Sequence, residues 1–295
     1  MKMLNSITYY DFENDHPYYK NLPLALLAAK NLQPTDNTTT IHMYWRVPRP
    51  FGEKQATAIK SVIVTQNPNK CHIIIWSNID LTDNEYIQDI LPYVELRIYN
   101  PVVEAIGTPV EKWPGLESTD ERCYADSDIF RLIILYKYGG IYIDFDTILL
   151  RDLSPLYGVE FMAQWGNSTI HNKPWNSGIA NGIIGSAAGG NLMTELLNEL
   201  LIVESTIFVS YGSELIGKVR DRLKEWYVLP GAFFWPEWTK HKDISDHFKR
   251  QGIVNMYDGS FSWHWHNQWD AIPEPGSKFH ILSQMTNIRF KSLTY

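Results

Sequence analysis

The hydrophobic pattern of the first hundred residues alternates between two periods. Apolar residues recur at helical spacing over residues 21–32 and 53–66, whereas residues 38–45, 71–78 and 94–100 are short runs rich in β-branched and aromatic residues. Continuous apolar runs of this length are typical of strands that are covered on both faces, and intervening helices favour parallel connections. This part of the chain therefore predicts a parallel sheet with helices on both of its faces.

Two further helices are predicted from capping signals. Thr82 and Asp83 open the segment "TDNEYIQDIL" (82–91) as a cap would. The clearest helix lies within residues 118–140, where Ser118 and Glu121 have the spacing of a capping box. Its apolar stripe, at spacings of three and four, consists of Ile129, Leu132, Ile133 and Tyr136.

The segment "KYGGIYIDFDTILL" (137–150) combines a strand pattern with two carboxylates, Asp144 and Asp146. Gly139 and Gly140 are suitable residues to stop the preceding helix. In a strand, side chains two residues apart face the same side, so the two acids would converge. Like charges repel unless a cation lies between them or one is protonated. Carboxylate oxygens suit Mg²⁺ or Mn²⁺, which would clamp a diphosphate at the carboxyl edge of the sheet. The alternative is a strand-end turn in which both acids face water.

The second half of the chain continues the mixture of strands and helices, without an internal repeat or a Gly/Ser linker. We expect strands within residues 159–165 and 177–186, and helices within 191–204 and 212–226. One domain over residues 1–295 is the simplest interpretation. Within it we expect an N-terminal half at about 38–150 that forms a nucleotide-type sheet, a second half at about 151–270 that completes the cleft, and a C-terminal tail at 271–295.

The composition is that of a folded protein, with 44% hydrophobic and 20% charged residues. The formal net charge of −7 lacks the basic footprint of a nucleic-acid-binding protein and gives no attraction to an anionic membrane. An anionic substrate would therefore need a metal ion or a few Arg and Lys residues to hold it.

The two cysteines, Cys71 and Cys123, have no metal-binding spacing and are predicted to be buried thiols, which fits a reducing compartment. The N-terminal sequence lacks the apolar region of a signal peptide, and the longest apolar run is too short to span a bilayer. We therefore expect a cytoplasmic protein without a transmembrane segment. Peripheral contact with a membrane remains compatible with this sequence.

Asp128 and Arg131 lie three residues apart on the helix that precedes the paired acids, and so share one of its faces. One interpretation is a surface ion pair of little energetic weight. The other is a functional pair, in which Asp128 accepts sugar hydroxyls and Arg131 counters an anion.

The segment from Ser127 to Leu156 resembles the sugar-binding DxD region of glycosyltransferase family 32. This family includes initiating mannosyltransferases and α-1,4-N-acetylglucosaminyltransferases, and the region is also similar to the glucosyltransferase domain of large clostridial toxins. The residues that carry the resemblance are Ser127, Asp128, Arg131, Gly139, Gly140, Tyr142, Asp144 and Asp146.

Other segments carry weaker resemblance. "TIHMYW" (40–45) and "IIIWSN" (73–78) are similar to the family's first two strands, "IANGIIGSAAGG" (179–190) to its Asn-containing stretch, and "HWHNQW" (264–269) to its closing His-Trp segment. Two features depart from the family pattern. Gly212-Ser213 replaces a Gly-Pro pair that is common before the later helix, and His266 has no counterpart.

The resemblance implies a GT-A fold, which is a single α/β domain with a mostly parallel central sheet flanked by helices. It also implies a metal-dependent retaining glycosyltransferase in polysaccharide or glycan biosynthesis. Such an enzyme would use Mn²⁺ or Mg²⁺ to transfer a hexose or N-acetylhexosamine from a UDP- or GDP-sugar to a glycan, glycolipid or glycoprotein.

The resemblance also implies roles for individual residues. The catalytic residues would be Asp128, Arg131, Asp144 and Asp146, and the metal ligands Asp144, Asp146 and His264. Residues that would bind the donor are Trp45, Trp76, Tyr142, Asn181 and Trp269.

Two other functions remain open from the residues. A nucleotide-sugar- or carbohydrate-binding protein without turnover would bind ligand and release no product, although the intact DxD argues against it. A metal-dependent phosphatase or pyrophosphatase would release phosphate from simple esters. That function is disfavoured because no nucleophilic Asp with a matching Lys is recognisable.

Overall fold

The computed structural model describes residues 18–116, 124–164, 169–170, 173–174, 179–203, 211–219, 222–223, 226–236, 247–250 and 256–293. Its α-helices are α1 (Tyr18–Asn31), α2 (Glu53–Thr65), α3 (Pro101–Glu104), α4 (Tyr124–Tyr138), α5 (Asn191–Leu200), α6 (Ser213–Val219) and α7 (Lys278–Lys291). Its strands are β1 (Thr39–Trp45), β2 (Cys71–Ser77), β3 (Glu95–Ile98), β4 (Gly140–Ile143), β5 (Thr147–Leu149), β6 (Phe161–Gln164), β7 (Thr169–Ile170), β8 (Lys173–Pro174), β9 (Ile179–Ser186), β10 (Tyr227–Leu229) and β11 (Ser262–His264).

Seven strands form the central sheet in the order β10-β6-β9-β4-β1-β2-β3. Strands β4, β1, β2 and β3 run parallel to one another, and β10 runs parallel to β6. Strand β9 is antiparallel to both of its neighbours, β4 and β6. The predicted α/β architecture with a mostly parallel central sheet is therefore confirmed.

Helices cover both faces of this sheet, because the strands are apolar on both sides. In β2, Ile73 and Ile75 join the core under α2 and α7, whereas Ile74 and Trp76 join the core under α4, α5 and α6. This alternation places successive side chains in different cores. It explains why β1 and β2 read as continuous apolar runs, as expected for buried parallel strands.

The Gly139–Gly140 pair ends α4 and starts β4, as predicted. Both residues have positive φ angles, of 66° and 100°. An added Cβ at Gly140 would lie only 2.2 Å from the carbonyl oxygen of Thr40 on β1. The ring of the buried His42 contacts the carbonyl oxygen of Gly139 through Nε2 at 3.0 Å. Glycine at both positions therefore suits this crowded, left-handed connection.

Residues 82–91 do not form the predicted helix. They form successive turns, followed by a short 3₁₀ helix at Leu91–Tyr93. The side chain of Asp80 accepts a hydrogen bond from the backbone N–H of Thr82, and that of Asn84 accepts one from Tyr86. Side-chain bonds of this kind compete with helix formation.

Residues 137–150 are not one strand as predicted. Strand β4 ends at Ile143, and Asp144–Asp146 form a turn that is closed by a bond from the N–H of Thr147 to the carbonyl of Asp144. Strand β5 then leaves the central sheet and pairs with β11. The two acids are thus brought together by a turn rather than by strand alternation.

Some of the predicted features lie outside the described residues, and others can be compared with the structure. The proposed capping box of Ser118 and Glu121, and Cys123, lie outside the described residues, whereas Cys71 is buried as predicted. The C-terminal segment 271–295 contributes α7, whose Phe279 and Leu282 join the core under α2. Among the described residues, no helix combines the length and the apolar character needed to cross a membrane.

Candidate active site

Three strand ends bring the acidic residues and a histidine together. Asp144 is the first residue after β4, and its N–H donates to the carbonyl of Gly182 on β9. Asp146 follows in the same turn, and His264 is the last residue of β11. One ligand atom from each of Asp144, Asp146 and His264 can be chosen so that all three lie within 4.8 Å of one another. The predicted acids and the predicted histidine therefore share one site.

The second acid, Asp146, is held by the strand and turn that contain His264. Its Oδ1 lies 3.0 Å from His264 Nε2, and its Oδ2 accepts a hydrogen bond of 2.7 Å from the backbone N–H of Asn267. The N–H of His266 donates to His264 Nδ1 at 3.1 Å. Both His266 and Asn267 have positive φ angles, 50° and 61°. This left-handed turn aims two backbone N–H groups at the two side chains.

Arg131 is buried between the helix α4 and the first acid. Its Nη2 lies 3.2 Å from Asp144 Oδ1 and 3.2 Å from Asp128 Oδ1. Its Nε donates to the carbonyl of Ser127 and its Nη1 to the carbonyl of Asn181. Only 3% of Arg131 is exposed, so the alternative of a surface ion pair with Asp128 is wrong.

Asp128 is linked to β9 as well as to Arg131. The side-chain amide of Asn181 donates to Asp128 Oδ1 at 2.7 Å. Across from it, Gly212 packs so closely that an added Cβ would lie 3.0 Å from Asp128 Oδ2. The structure thus brings Asp128, Arg131, Asn181 and Asp144 into one hydrogen-bonded row.

The two acids respond differently to these surroundings. Burial raises the pKa of Asp144, and the neighbouring charge of Asp146 adds to the rise, while Arg131 opposes it. The pKa of Asp146 is lowered, because His264 and the N–H of Asn267 outweigh the effect of burial. Burial lowers the pKa of His264, but the two neighbouring carboxylates raise the pKa by a larger amount, so the net shift is upward. A cation between the two acids would relieve their repulsion.

The donor set and the local space fit a divalent cation. Two carboxylates and an imidazole are suitable ligands for Mn²⁺, and carboxylates for Mg²⁺. Residue 182 is glycine, and an added Cβ there would lie 2.9 Å from Asp144 Oδ2 and 3.5 Å from His264 Nε2. The absence of this side chain leaves room between the ligands. The Asp144 side chain is 24% exposed, which opens the site to solvent.

The predicted donor-binding aromatic residues lie mostly in the core. Trp76 is 1% exposed, packs against Phe130 of α4, and donates from its indole N–H to His42. Its position on β2 turns it away from solvent, so this placement does not fit the predicted contact with a nucleotide. Trp45 is also buried, with its ring edge-to-face against Trp269 at 5.1 Å.

Two other predicted donor-binding residues lie closer to the acids or to solvent. The hydroxyl of Tyr142 donates to Asp144 Oδ1 at 2.6 Å, although its ring is buried. Trp269 is partly buried and lies under the guanidinium of Arg49.

Sequence reasoning missed three contributors to this site. Gly182 provides space, the backbone N–H of Asn267 binds Asp146, and the Lys54 ammonium donates to the carbonyls of Gln268 and Trp269. A glycine inside a strand pattern often marks a place where another group approaches the backbone closely. Of the three contributors, Gly182 is therefore the one that could have been predicted from the sequence. Backbone donors and long-range lysine contacts leave no local pattern.

Comparison with known proteins points to one class. Residues 52–169 match the family model described as the glycosyltransferase sugar-binding region containing the DXD motif. Inositol phosphoceramide mannosyltransferase 3 of Schizosaccharomyces pombe (strain 972 / ATCC 24843) is 28% identical over 151 residues. That alignment covers 47% of this chain and 37% of the relative, so the chain matches little more than a third of that protein.

Two solved structures are similar to this chain at low sequence identity. The bifunctional glycosyltransferase WbbM superposes with a TM-score of 0.50 and 14% identity, over 86% of this chain and 50% of WbbM. The PaToxG glycosyltransferase gives a TM-score of 0.48 and 15% identity, over 70% of this chain and 77% of that one. These findings agree with the resemblance stated from the residues: this chain has a GT-A-type fold, and its residues 52–169 match the glycosyltransferase sugar-binding region containing the DXD motif.

Proposed function

We propose that the protein is a metal-dependent retaining glycosyltransferase that transfers a hexose or N-acetylhexosamine from a UDP- or GDP-sugar to a glycan or glycolipid. The observation that carries this proposal is the convergence of Asp144, Asp146 and His264 within 4.8 Å, beside the buried Arg131. The match to a DXD sugar-binding region supports the same class of reaction. The name of the Schizosaccharomyces pombe relative supports including mannose among the donor sugars and an inositol phosphoceramide among the acceptors.

The reaction breaks the bond between the sugar anomeric carbon and the diphosphate, and forms a bond from that carbon to an acceptor oxygen. Negative charge develops on the diphosphate, and positive charge on the sugar. A divalent cation held by Asp144, Asp146 and His264 would supply a Lewis acid for the leaving diphosphate.

Arg131 contributes a fixed positive charge near the same region. Its guanidinium is held by Asp128, Asp144 and the carbonyl of Asn181, so it needs no reorganisation during the reaction. The carboxylates beside it outweigh burial and keep its pKa above the ordinary value, so it stays charged. Preorganised charge of this kind is a main source of catalysis.

Asp128 and Asn181 are placed to orient the donor sugar. The carboxylate of Asp128 is fixed by the amide of Asn181 and by Arg131, and such a fixed acceptor suits sugar hydroxyls. These partners also make Asp128 a poor nucleophile, and we assign no covalent nucleophile. Retention would follow from attack by the acceptor hydroxyl on the same face as the departing diphosphate, with the departing phosphate taking up the hydroxyl proton.

The proposal is tested with UDP-glucose, UDP-galactose, UDP-N-acetylglucosamine and GDP-mannose, each with Mn²⁺ and with EDTA. We expect metal-dependent hydrolysis of at least one donor, and transfer when an acceptor is added. The variant that combines Asp144→Ala with Asp146→Ala should lose this activity, whereas Asp83→Ala, at an exposed acid, should keep it. Activity that survives the double substitution or EDTA would contradict the mechanism.

Stereochemistry needs a separate measurement. NMR of the glycoside formed should show the anomeric configuration of the donor. An inverted product would leave the transferase intact and overturn the retaining mechanism.

A further inference from the structure

Two partly exposed aromatic residues lie at the far end of the row that begins at the acids. The rings of Trp113 and Tyr211 meet edge-to-face, with centroids 5.8 Å apart and an interplanar angle of 88°. Both are partly buried, whereas Trp45, Trp76 and Trp265 are each at most 4% exposed. Trp113 and Tyr211 pack against the core under α4, α5 and α6, but Trp113 is less buried than these core tryptophans.

The backbone holds the Trp113 ring in a fixed orientation. An added Cβ at Gly115 would lie 2.4 to 2.7 Å from three atoms of the indole, so the ring rests directly on that glycine. The N–H of Trp113 donates to the carbonyl of Val110, and Val110 and Leu116 are buried on either side. A ring that is already ordered loses little conformational entropy when a ligand binds.

Tyr211 connects this ring to the proposed donor site. The next residue, Gly212, lies so close to β9 and α4 that an added Cβ would be 2.8 Å from Asn181 Nδ2 and 3.0 Å from Asp128 Oδ2. The carbonyl of Gly212 accepts from Ile216 in the first turn of α6, and Ile216 is buried. Tyr211 is therefore anchored one residue from the group that is proposed to hold the donor sugar.

We propose that Trp113 and Tyr211 form a subsite that binds one hexose ring of the acceptor by stacking. This inference rests on the proposed function. The diphosphate end of the donor would lie at Asp144 and Asp146, and its sugar at Asp128. Gly212 lies beside Asp128 and directly follows Tyr211, so the aromatic pair would bind the sugar next to the donor sugar. Flat apolar rings with a phenol hydroxyl suit the apolar face and the hydroxyls of a hexose.

The experiment separates binding of the acceptor from handling of the donor. Methyl glycosides of mannose, glucose, galactose and N-acetylglucosamine are titrated into wild type, Trp113→Ala and Trp113→Phe, and binding is followed by ligand-observed NMR. Donor hydrolysis without acceptor is measured on the same proteins. We expect Trp113→Ala to weaken binding of the preferred glycoside by about tenfold, and Trp113→Phe to retain most of it. Hydrolysis of the donor should keep the wild-type KM.

Tyr86→Ala is the matched control, because Tyr86 is an exposed aromatic residue in the turns before β3. It should change neither measurement. Equal glycoside binding by wild type and Trp113→Ala, or no binding of any glycoside by wild type, would overturn the subsite. A raised KM for donor hydrolysis in Trp113→Ala would assign the rings to the donor sugar and overturn the acceptor assignment. Failure of the proposed function is distinct, because wild type would then hydrolyse no sugar nucleotide at all.

Discussion

The two acids of the DxD motif occupy different environments although only Phe145 separates them. Asp146 is enclosed by His264 and the N–H of Asn267, and its pKa is lowered. Asp144 is partly exposed, and burial together with the charge of Asp146 raises its pKa. Without metal the fold therefore favours the charge on Asp146 and disfavours the charge on Asp144. This asymmetry suits a site in which one carboxylate is permanently positioned and the other completes the binding of a cation.

Substitution of the acids by Asn should reveal this asymmetry. In the metal-free protein we expect Asp144→Asn to lower the melting temperature less than Asp146→Asn does, because removing the disfavoured charge of Asp144 offsets the loss of its ion pair with Arg131. Asp146→Asn should lower the free energy of unfolding by about 1–3 kcal/mol, because it weakens bonds to a charged acceptor. Both variants should lose the rise in melting temperature that Mn²⁺ gives to wild type. Equal melting temperatures for the two metal-free variants would contradict the assignment.

Gly182 should matter for metal binding more than for folding. A methyl group at residue 182 would meet Asp144 Oδ2 at 2.9 Å, and this carboxylate can turn away because it ends a side chain. We expect Gly182→Ala to keep the wild-type melting temperature in EDTA within a few degrees. Its affinity for Mn²⁺, measured by calorimetry, should fall by roughly tenfold to a hundredfold. A loss of this size is typical when the surroundings that orient a metal ligand are changed.

Gly52→Ala is the matched control for this substitution. An added Cβ at Gly52 would have only one neighbour within 4 Å, an atom of Gln55 at 3.8 Å. It should leave Mn²⁺ affinity unchanged. Wild-type affinity in Gly182→Ala would show that the cation does not use the space beside this glycine.

At the scale of single residues, the sequence allowed the proposed metal ligands to be identified, but it did not reveal the surroundings of each side chain. Asp144, Asp146 and His264 were assigned from motif resemblance, and the structure brings them together. Trp76 was assigned to the donor by the same reasoning, yet it is a core residue, because its place in β2 decides its direction and resemblance does not. Aromatic residues serve both purposes, so their type alone cannot separate them.

At the scale of elements, the turn after β11 positions the site. His266 and Asn267 both adopt left-handed backbone conformations, which cost non-glycine residues free energy. In return, their N–H groups bind His264 and Asp146. The strain is thus found where two proposed metal ligands need a fixed orientation.

A matched pair of substitutions at residue 266 should measure that strain. His266→Gly and His266→Ala both remove the imidazole, and they differ only in the Cβ. We expect the Gly variant to be more stable than the Ala variant by about 1 kcal/mol, because only Gly adopts φ near 50° without penalty. Chemical denaturation in EDTA provides the measurement. Equal free energies of unfolding would mean that the turn relaxes to another conformation in solution.

The double glycine between α4 and β4 should be intolerant of any side chain. Gly140→Ala places a Cβ 2.2 Å from the Thr40 carbonyl in addition to the unfavourable φ, so we expect a loss of at least about 3 kcal/mol in the free energy of unfolding. Gly107→Ala is the control, because Gly107 also has a positive φ but no atom within 4 Å of an added Cβ. It should cost only about 1 kcal/mol. Similar losses in the two variants would exclude the close approach to Thr40 as the cause.

Elements were predictable where one periodic signal acted alone. The helices within residues 53–66 and 118–140 and the strands β1 and β2 follow directly from their apolar spacing. The helix predicted over residues 82–91 is wrong, because Asp80 and Asn84 bind nearby backbone N–H groups and favour turns. The single strand predicted over residues 137–150 is wrong, because the apolar alternation continues through a turn into β5, which belongs to another sheet. Local pattern does not record a change of partner strand.

At the scale of the whole molecule, a buried histidine links the sheet to the start of the DxD strand. His42 is fully buried on β1, contacts the carbonyl of Gly139 through Nε2, and accepts from the indole of Trp76 at Nδ1. This arrangement connects β1, β2 and the α4–β4 connection in the middle of the fold. It holds only while the imidazole is neutral, since a protonated ring cannot accept at Nδ1.

Stability should therefore fall as the solution is acidified. Burial lowers the pKa of His42 from 6.5 to about 4, with the contact to Gly139 opposing the shift. As the pH falls below 6.5 the unfolded chain takes up a proton that the folded chain refuses. The stabilisation is thus complete above pH 6.5 and is lost progressively down to about pH 4, by at most about 3 kcal/mol.

The variant His42→Gln isolates this contribution, because Gln can still contact the Gly139 carbonyl and does not titrate. Denaturation curves at intervals between pH 4 and 7 should show a shallower loss of stability for the variant than for wild type. His264 contributes with the opposite sign in the metal-free protein, because its raised pKa favours the folded state as the pH falls. This contribution is common to both proteins, so the difference between their slopes reports His42 alone. Identical slopes would show that the His42 imidazole becomes protonated in the folded state without breaking the connection between β1 and the DxD strand.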